Sequence, residues 1–393
     1  MNEKIVVTGI ARTPLGGFQG ALSDVSAPQL GATAIAAAVE RSELAKDAID
    51  EVIMGCVLSA GLGQAAARQA SIGAGLALST GATTVNKMCG SGLKAVMLAH
   101  DLLLGGSNRV MVAGGFENMS NAPYLLPKAR AGMRMGHGTV IDHMFFDGLE
   151  DAYDKGRLMG VFAENTADKY SFSREQQDDF AITSLKRAQA AIETGAFTGE
   201  ICPVTVKTRK GDVIVDNDEQ PPKANLSKIS TLRAAFRNDG TVTAANSSSI
   251  SDGAAALTLM TQTEAGNRNI KPLATILGHS SFSHEPAWFT TAPVGAIKGL
   301  LAQLNWQVDE VDLFEINEAF AVVTMSAMHD LGLDHNKVNV NGGACALGHP
   351  IGASGARILV TLIAALQQRG LKKGIAALCI GGGEAVAMAV EIV

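Results

Sequence analysis

Cys89 stands in the run Asn86-Lys87-Met88-Cys89-Gly90-Ser91-Gly92, directly ahead of an apolar stretch. Two glycines and a serine beside a cysteine let the backbone turn tightly and approach a ligand. A thiol at a helix N-terminus also feels the positive end of the helix dipole, which favours the thiolate. The segment suits a nucleophile, and it suits a structural cysteine near a helix cap equally well. A second run, from Asn339 to Gly355, holds His349 between Gly348 and Pro350. An imidazole set in so glycine-rich a loop can activate a thiol or polarise a carbonyl. A third, Cys379-Ile380-Gly381-Gly382-Gly383, ends an apolar run. Its backbone N–H groups can form an oxyanion hole, and Cys379 is either a second acid/base or a core residue. In a fourth, Glu315-Ile316-Asn317-Glu318-Ala319-Phe320, a strand is expected over 311–314. Asn317 then either binds a water or a carbonyl, or caps a helix. The run Gly61-Leu62-Gly63-Gln64-Ala65-Ala66 fits the dinucleotide fingerprint, but residues 56–60 separate it from the preceding strand. No acidic residue follows at the required distance of about 20 positions, so a nicotinamide cofactor is not expected.

The surrounding elements must bring these runs together. Residues 5–7, 51–54 and 109–112 read as strands, and 29–40 and 92–104 as helices. That alternation predicts an α/β fold with mostly parallel strands. From about 120 to 270 the pattern breaks. It gives way to Met- and Gly-rich loops, a charged helix over 173–194 with Ser173 as its N-cap, and a Lys/Arg/Asp-rich stretch over 207–237. From about 271 the alternation resumes.

The chain also repeats itself. Ser91-Gly92, an apolar helix, a strand and Gly114-Gly115-Phe116-Glu117 are echoed by Ser354-Gly355, an apolar helix, a strand and Gly381-Gly382-Gly383-Glu384. The paired glycines lie 22 residues apart in the first unit and 26 in the second, which points to duplication. Both helices are apolar nearly all round. They are therefore expected to be buried on every side, back to back between two sheets.

Bulk properties narrow the function. With 393 residues, two or three domains are expected. A net charge of −6 argues against a nucleic-acid or anionic-membrane binder, while leaving room for a local basic pocket. The longest strongly apolar stretch, residues 358–366, is well short of the ~20 residues of a membrane span. The N-terminus runs straight into Ile5-Val6-Val7 with no cleavable leader pattern. The five cysteines show no zinc-ligand spacing, so no metal is expected; free thiols in a reducing, cytoplasmic compartment are.

Taken in order, N-x-x-C-G-S-G at Cys89, N-E-A-F at Asn317, G-H-P-I-G-A-S-G at His349 and C-I-G-G-G at Cys379 resemble the thiolase family, over essentially the whole chain. The likeness is nearest to the biosynthetic, short-chain acetyl-CoA acetyltransferase type. It implies a five-layer α-β-α-β-α core built from two duplicated halves with an inserted loop domain. The expected boundaries are 1–119 for the first part of the N-terminal half, 120–250 for the CoA-binding insertion, 251–270 for completion of that half, and 271–393 for the C-terminal half. It implies reversible Claisen condensation of two acetyl-CoA through an acetyl-Cys89 intermediate, in acyl-CoA and fatty acid metabolism. In that scheme His349 takes the Cys89 proton and, with a water held by Asn317, binds the thioester oxygen. Cys379 exchanges the α-proton, and the N–H groups of Cys89 and Gly381 form a second oxyanion hole. Coenzyme A and acyl-CoA are substrates, with no permanently bound cofactor. The positions expected to hold them are Leu149, Met159, Lys223, Phe236, Ala244, Ser248, Ala319 and Phe320.

A homotetramer, a dimer of dimers, is the expected assembly. Three departures from the family pattern stand out: Leu158 ahead of Met159-Gly160, Pro221-Pro222-Lys223 where an adenine-stacking Arg is usual, and Trp288-Phe289 near the acyl pocket. Lys223 would supply a point charge instead of a stacking plane. Two other readings are a ketoacyl synthase, which pairs its Cys with two His, and a non-catalytic acyl-CoA-binding scaffold. The set Cys89, His349, Asn317 and Cys379 speaks against both.

Overall fold

The computed structural model describes residues 3–393. Strand β1 (Ile5–Arg12) is followed by α1 (Ala27–Arg41), β2 (Glu51–Gly55), α2 (Ala66–Gly73), β3 (Gly81–Val85), α3 (Ser91–Leu104) and β4 (Val110–Asn118). After an insertion comes β7 (Ser251–Thr261), which closes the first half-sheet in the order β3-β2-β4-β7-β1. The insertion carries α4 (Met159–Tyr170), α5 (Arg174–Glu193) and a hairpin of β5 (Val204–Thr208) and β6 (Gly211–Val215). Helix α5 starts where Ser173 accepts from Gln176 N–H and Gln176 reaches back to the Ser173 backbone, a capping box.

The second half repeats this plan. It comprises β8 (Ala274–Ser283), α6 (Ala292–Leu304), β9 (Leu313–Ile316), α7 (Ala321–Leu331), α8 (Ile351–Arg369), β10 (Lys373–Ile380) and β11 (Glu384–Ile392). Its sheet runs β9-β10-β11-β8, with β9 and β10 parallel and the other pairs antiparallel, so the mostly parallel pairing expected holds only where β2 meets β3 and β4 and where β9 meets β10. A parallel bridge from Phe314 to Val338 stands where β3 pairs with β2 in the first half. Numbered within its own half, each sheet therefore reads 3-2-4-5-1, the third strand of the second half being reduced to one bridge. The half-sheets join edge to edge where β1 pairs with β8, with Val6 opposite Thr275.

Period-two burial on the strands builds the layers. On β1, Ile5, Val7 and Ile10 face a core shared with α3, α8, β10 and β11, while Val6 and Ala11 face α1 and α2. The outer face of the second half-sheet packs on α6 and α7. The result is five layers, with α3 and α8 between the two half-sheets, as expected from their all-round apolarity. Helix α8 has 19 residues and the hydropathy of a membrane span, but 89% of its apolar 18-residue window is buried inside the protein. Its apolar surface is accounted for by the neighbouring helix and sheets.

Small residues let the central helices meet. A Cβ on Gly355 would lie 2.4 Å from Leu93 N, and one on Gly92 would lie 2.7 Å from Ala356 N. The two backbones are therefore in contact at the very turns that carry Cys89 and His349. The insertion is clamped to this core by Arg12, whose Nε donates to Glu200 Oε1 (2.5 Å) and whose Nη atoms donate to Asp218 (2.7 and 2.9 Å), all fully buried.

Candidate active site

Strand β3 ends at Val85, and residues 86–90 form the turn into α3. Asn86 Oδ1 accepts from Met88 N–H (2.9 Å), and Ser91 Oγ accepts from Lys87 N–H (2.8 Å) while donating to Met88 O (2.6 Å). These bonds hold Met88 at φ 46°, a left-handed conformation rare for a side chain of its size. Residues held this way cost about 1–3 kcal/mol and concentrate at functional sites. Gly90 is required because a Cβ there would meet Ile380 Cδ1 at 2.4 Å. The turn thus explains the Asn, Ser and Gly of the motif and sets Cys89 against the second half.

Opposite it, Gly381, Gly382 and Gly383 form the tight turn between β10 and β11, the last two with φ of 95° and 85°. Lys87 Nζ pairs with Glu384 Oε2 at 2.5 Å and ties the two turns together. The N–H groups of Gly381 and of Cys89 itself face the Cys89 sulfur. Burial nonetheless outweighs them and pushes the thiol up to about 11. The expected depression by the helix dipole is therefore not realised. Desolvation disfavours the anion more than the N–H groups favour it, so Cys89 rests as a thiol.

His349 lies on the other wall, its N–H donating to Ser249 O (3.1 Å). Its Nδ1 is 2.5 Å from Ser354 Oγ, and Ser354 Oγ donates to Pro350 O (2.9 Å). With the hydroxyl proton committed to Pro350, Nδ1 must be the protonated nitrogen. Nε2 then carries the free lone pair. Burial and the nearby Arg357 guanidinium push the imidazole down to about 3, so it is neutral at physiological pH.

Asn317 Nδ2 sits 3.5 Å from His349 Nε2, and Asn317 N–H donates to Ala377 O. Asn317 Oδ1 is buried without a hydrogen-bond partner in the protein. The helix-cap alternative for Asn317 is excluded, since α7 begins at Ala321 and is preceded by Phe320. The strand expected at 311–314 lies two residues later, at Leu313–Ile316. Cys379, next to last in β10, is fully buried, and burial together with nearby Cys89 raises its thiol well above the ordinary range.

Cys89, His349 and Gly381 line a largely apolar cavity of about 350 Å³, whereas Asn317 and Cys379 are not part of its wall. Leu149, Met159, Phe236, Ala244, Ser248, Ala319 and Phe320 line it too, as do Leu158 and Phe289. Ser248 N–H and Oγ both donate to Ala319 O (3.0 Å each). Lys223 is not brought into this cavity. It lines an adjoining groove that shares Ala244 and Ser249, and its side chain, 70% exposed, pairs through Nζ with Glu219 at 2.5 Å. Trp288 turns away to stack under Lys169 Nζ (4.4 Å), leaving Phe289 alone of that pair in the wall. Cys345 faces the Lys223 groove, bonded to Glu318.

Two positioning residues were not singled out from the sequence. Ser354 fixes the His349 tautomer, and its signal was a serine in the first turn of the helix that follows the histidine. Glu117, fully buried at the end of β4, accepts from Val57 N–H (3.0 Å), Leu58 N–H (3.0 Å) and Gly352 N–H (2.9 Å). It joins the loop after β2 to the helix that follows His349. Burial raises its carboxyl to about 7 despite those donors. Both oxygens accept, so Glu117→Gln sets an amide N–H against a backbone N–H. A destabilisation of about 1–3 kcal/mol is expected, read as a lower urea midpoint at unchanged slope.

The strand order, the two glycine turns and a cysteine facing a neutral histidine across an apolar cavity define an acyl-transfer enzyme fold of duplicated halves. Residues 5–263 match the family described as Thiolase, N-terminal domain, and residues 270–392 match Thiolase, C-terminal domain. The chain belongs to the thiolase family. It is 48% identical over 389 residues to an acetyl-CoA acetyltransferase of Cupriavidus necator, spanning 98% of this chain and 99% of that one. It is 50% identical over 392 residues to acetyl-CoA acetyltransferase 2 of Arabidopsis thaliana, spanning 99% and 97%. Among solved structures, an acetyl-CoA acetyltransferase of Bacillus anthracis superposes with a TM-score of 0.97 at 40% identity over 100% of both chains. A thiolase of Ascaris suum in complex with coenzyme A gives 0.94 at 41% identity, over 99% of this chain and 100% of that one.

Proposed function

We propose that this chain is an acetyl-CoA C-acetyltransferase, condensing two acetyl-CoA to acetoacetyl-CoA and free CoA and running the reverse thiolysis through acetyl-Cys89. The observation that carries the reading is the pairing of a turn-mounted thiol with an imidazole whose Nε2 is left free by the Ser354 bond. In the first half-reaction the Cys89 sulfur attacks the thioester carbonyl. Its proton passes through His349 Nε2 to the departing CoA sulfur. The carbonyl oxygen gathers negative charge and needs donors fixed in advance. The N–H groups of Cys89 and Gly381 supply them, and they go on to serve the same oxygen in the acyl-enzyme. The thioester oxygen of the second, incoming acetyl-CoA is a different atom, served by a water on Asn317 and by His349 Nε2 when it carries a proton.

In the second half-reaction Cys379 handles the α-proton. As a thiol held neutral by burial it suits the thiolysis direction, where it protonates the departing acetyl-CoA enolate. The apolar cavity suits the pantetheine arm. The adjoining groove with Lys223 and Lys228 suits the nucleotide phosphates. Self-association, the homotetramer implied by the family likeness, is supported by the outer edge of β3. Among the described residues that edge pairs with no other strand. Sedimentation equilibrium gives the number of subunits.

The test is loss of acetoacetyl-CoA enolate absorbance on adding free CoA. Wild type is expected to turn over, and a wild type inert toward both acetoacetyl-CoA and longer 3-ketoacyl-CoA would sink the reading. Cys379→Ala is expected to lower turnover by roughly 10²–10⁴-fold. It should still take up one acetyl group on Cys89 from acetyl-CoA, seen by intact-protein mass spectrometry. Loss of acetylation as well would mean that Cys379 supports the nucleophile and does not carry the α-proton.

A further inference from the structure

On the central helix, well after the Cys89 turn, His100 and Asp101 meet His279, which projects from β8 of the other half. His100 Nδ1 is 3.1 Å from Asp101 Oδ1, and His279 Nε2 is 2.9 Å from the same oxygen. The two rings sit edge to face with centroids 5.1 Å apart. All three donor atoms lie within 4.8 Å of one another. None of them is used by the acyl-transfer site.

We propose that His100, Asp101 and His279 form a binding site for a divalent transition ion of the zinc class, bridging the two halves. The donor set is two imidazoles and one carboxylate, which suits Zn²⁺, Co²⁺ or Ni²⁺ and is a poor match for the all-oxygen shells of Mg²⁺ or Ca²⁺. Bonds of about 2.0–2.1 Å place tetrahedral donor atoms about 3.3 Å apart, so the two spacings to Asp101 need to open by only a few tenths of an ångström, and the two imidazole nitrogens lie within 4.8 Å of each other. Each imidazole presents to the shared point a nitrogen that donates to the carboxylate when no metal is bound. Metal binding takes each imidazole in its other tautomer, the proton moving to the far ring nitrogen and the lone pair turning to the ion. Asp101 is 53% exposed, which gives an ion a path in and leaves the remaining coordination positions to water. The histidines are more enclosed, His100 buried and His279 half-buried, so their rings are held in place before any ion arrives. The two ligand-bearing elements come from opposite halves. The ion would therefore act as a structural clasp between α3 and the second half-sheet.

The active-site thiol is a competing ligand, so the measurement uses the untagged, chelator-treated full chain carrying Cys89→Ala. Zn²⁺ titration calorimetry on that protein is expected to give one equivalent per chain. Adding His279→Gln or Asp101→Asn is expected to weaken the binding by about tenfold or more. Zn²⁺ should raise the melting temperature of the Cys89→Ala protein and not that of the two double variants. Asp101→Asn only exchanges a half-exposed carboxylate for an amide of the same shape, so it remains informative if His279→Gln folds poorly. Absence of saturable binding would reduce the cluster to a hydrogen-bonded contact. Equal binding in both double variants would place the metal elsewhere, and either result overturns the proposal.

Discussion

Cys89→Ala is expected to abolish thiolysis of acetoacetyl-CoA, with kcat lowered by on the order of 10⁴–10⁶-fold. The large figure follows from what the variant removes. Without the sulfur no acyl-enzyme forms, and the one-site, two-step route closes. Direct attack of CoA on the substrate would have to be served by a cavity whose polar groups are aimed at a protein-bound acyl group. The substitution only trims a half-buried side chain and leaves Gly90, Ser91 and the strained Met88 in place, so folding should persist. Retained acyl-CoA binding by calorimetry, with turnover gone, would separate loss of chemistry from loss of the site. A rate within tenfold of wild type would end the assignment of Cys89 as nucleophile.

His349→Ala is expected to slow acetylation of Cys89 by roughly 10⁴-fold, through loss of the group that takes the thiol proton and hands it to the departing CoA sulfur. The two perturbed groups give this prediction a pH signature. With the thiol near 11 and the imidazole near 3, the neutral pair dominates at rest, and the proton leaves sulfur as the carbon–sulfur bond forms. Wild-type acetylation should therefore show no limb near the ordinary histidine value of about 6.5, because His349 is already neutral there. In the variant only the thiolate can attack. Its fraction rises about tenfold per pH unit up to the thiol pKa, so the acetylation rate should climb in that proportion over roughly pH 7–10. Single-turnover acetylation followed by mass spectrometry across that range reads both profiles. A variant whose rate stays flat with pH would mean that another group deprotonates Cys89.

The two predictions differ in what they depend on. Cys89 could be chosen as a nucleophile from its own segment and the company of three others. The role proposed for His349, a base with a free Nε2, rests on Ser354 and Pro350, whose hydrogen bonds fix the proton on Nδ1. A serine five residues after a histidine carries no such message by itself. Glu117 is a similar case: its neighbours in sequence are a strand, whereas its partners Val57, Leu58 and Gly352 come from two distant loops.

Much of the architecture was nonetheless legible in the residues. Alternating β-branched and Ala/Leu-rich runs prescribed α/β units, and the echo of Ser-Gly, apolar helix and glycine turn prescribed two halves. Helices apolar on every side could only be central. These are local or periodic properties, set by how side chains distribute between water and the interior, so they survive in a linear reading. What only the tertiary structure decided was burial and cross-chain pairing at single atoms. The helix dipole promised a thiolate at Cys89, and desolvation overruled it. Asn317 read equally well as a cap or a ligand, and its place four residues ahead of α7, beside His349, removed the cap reading. Lys223 carried the right charge, and the fold set it in the adjoining groove against Glu219. Electrostatic balance depends on every dipole and charge within a few ångströms. Those neighbours are fixed by packing between segments hundreds of residues apart.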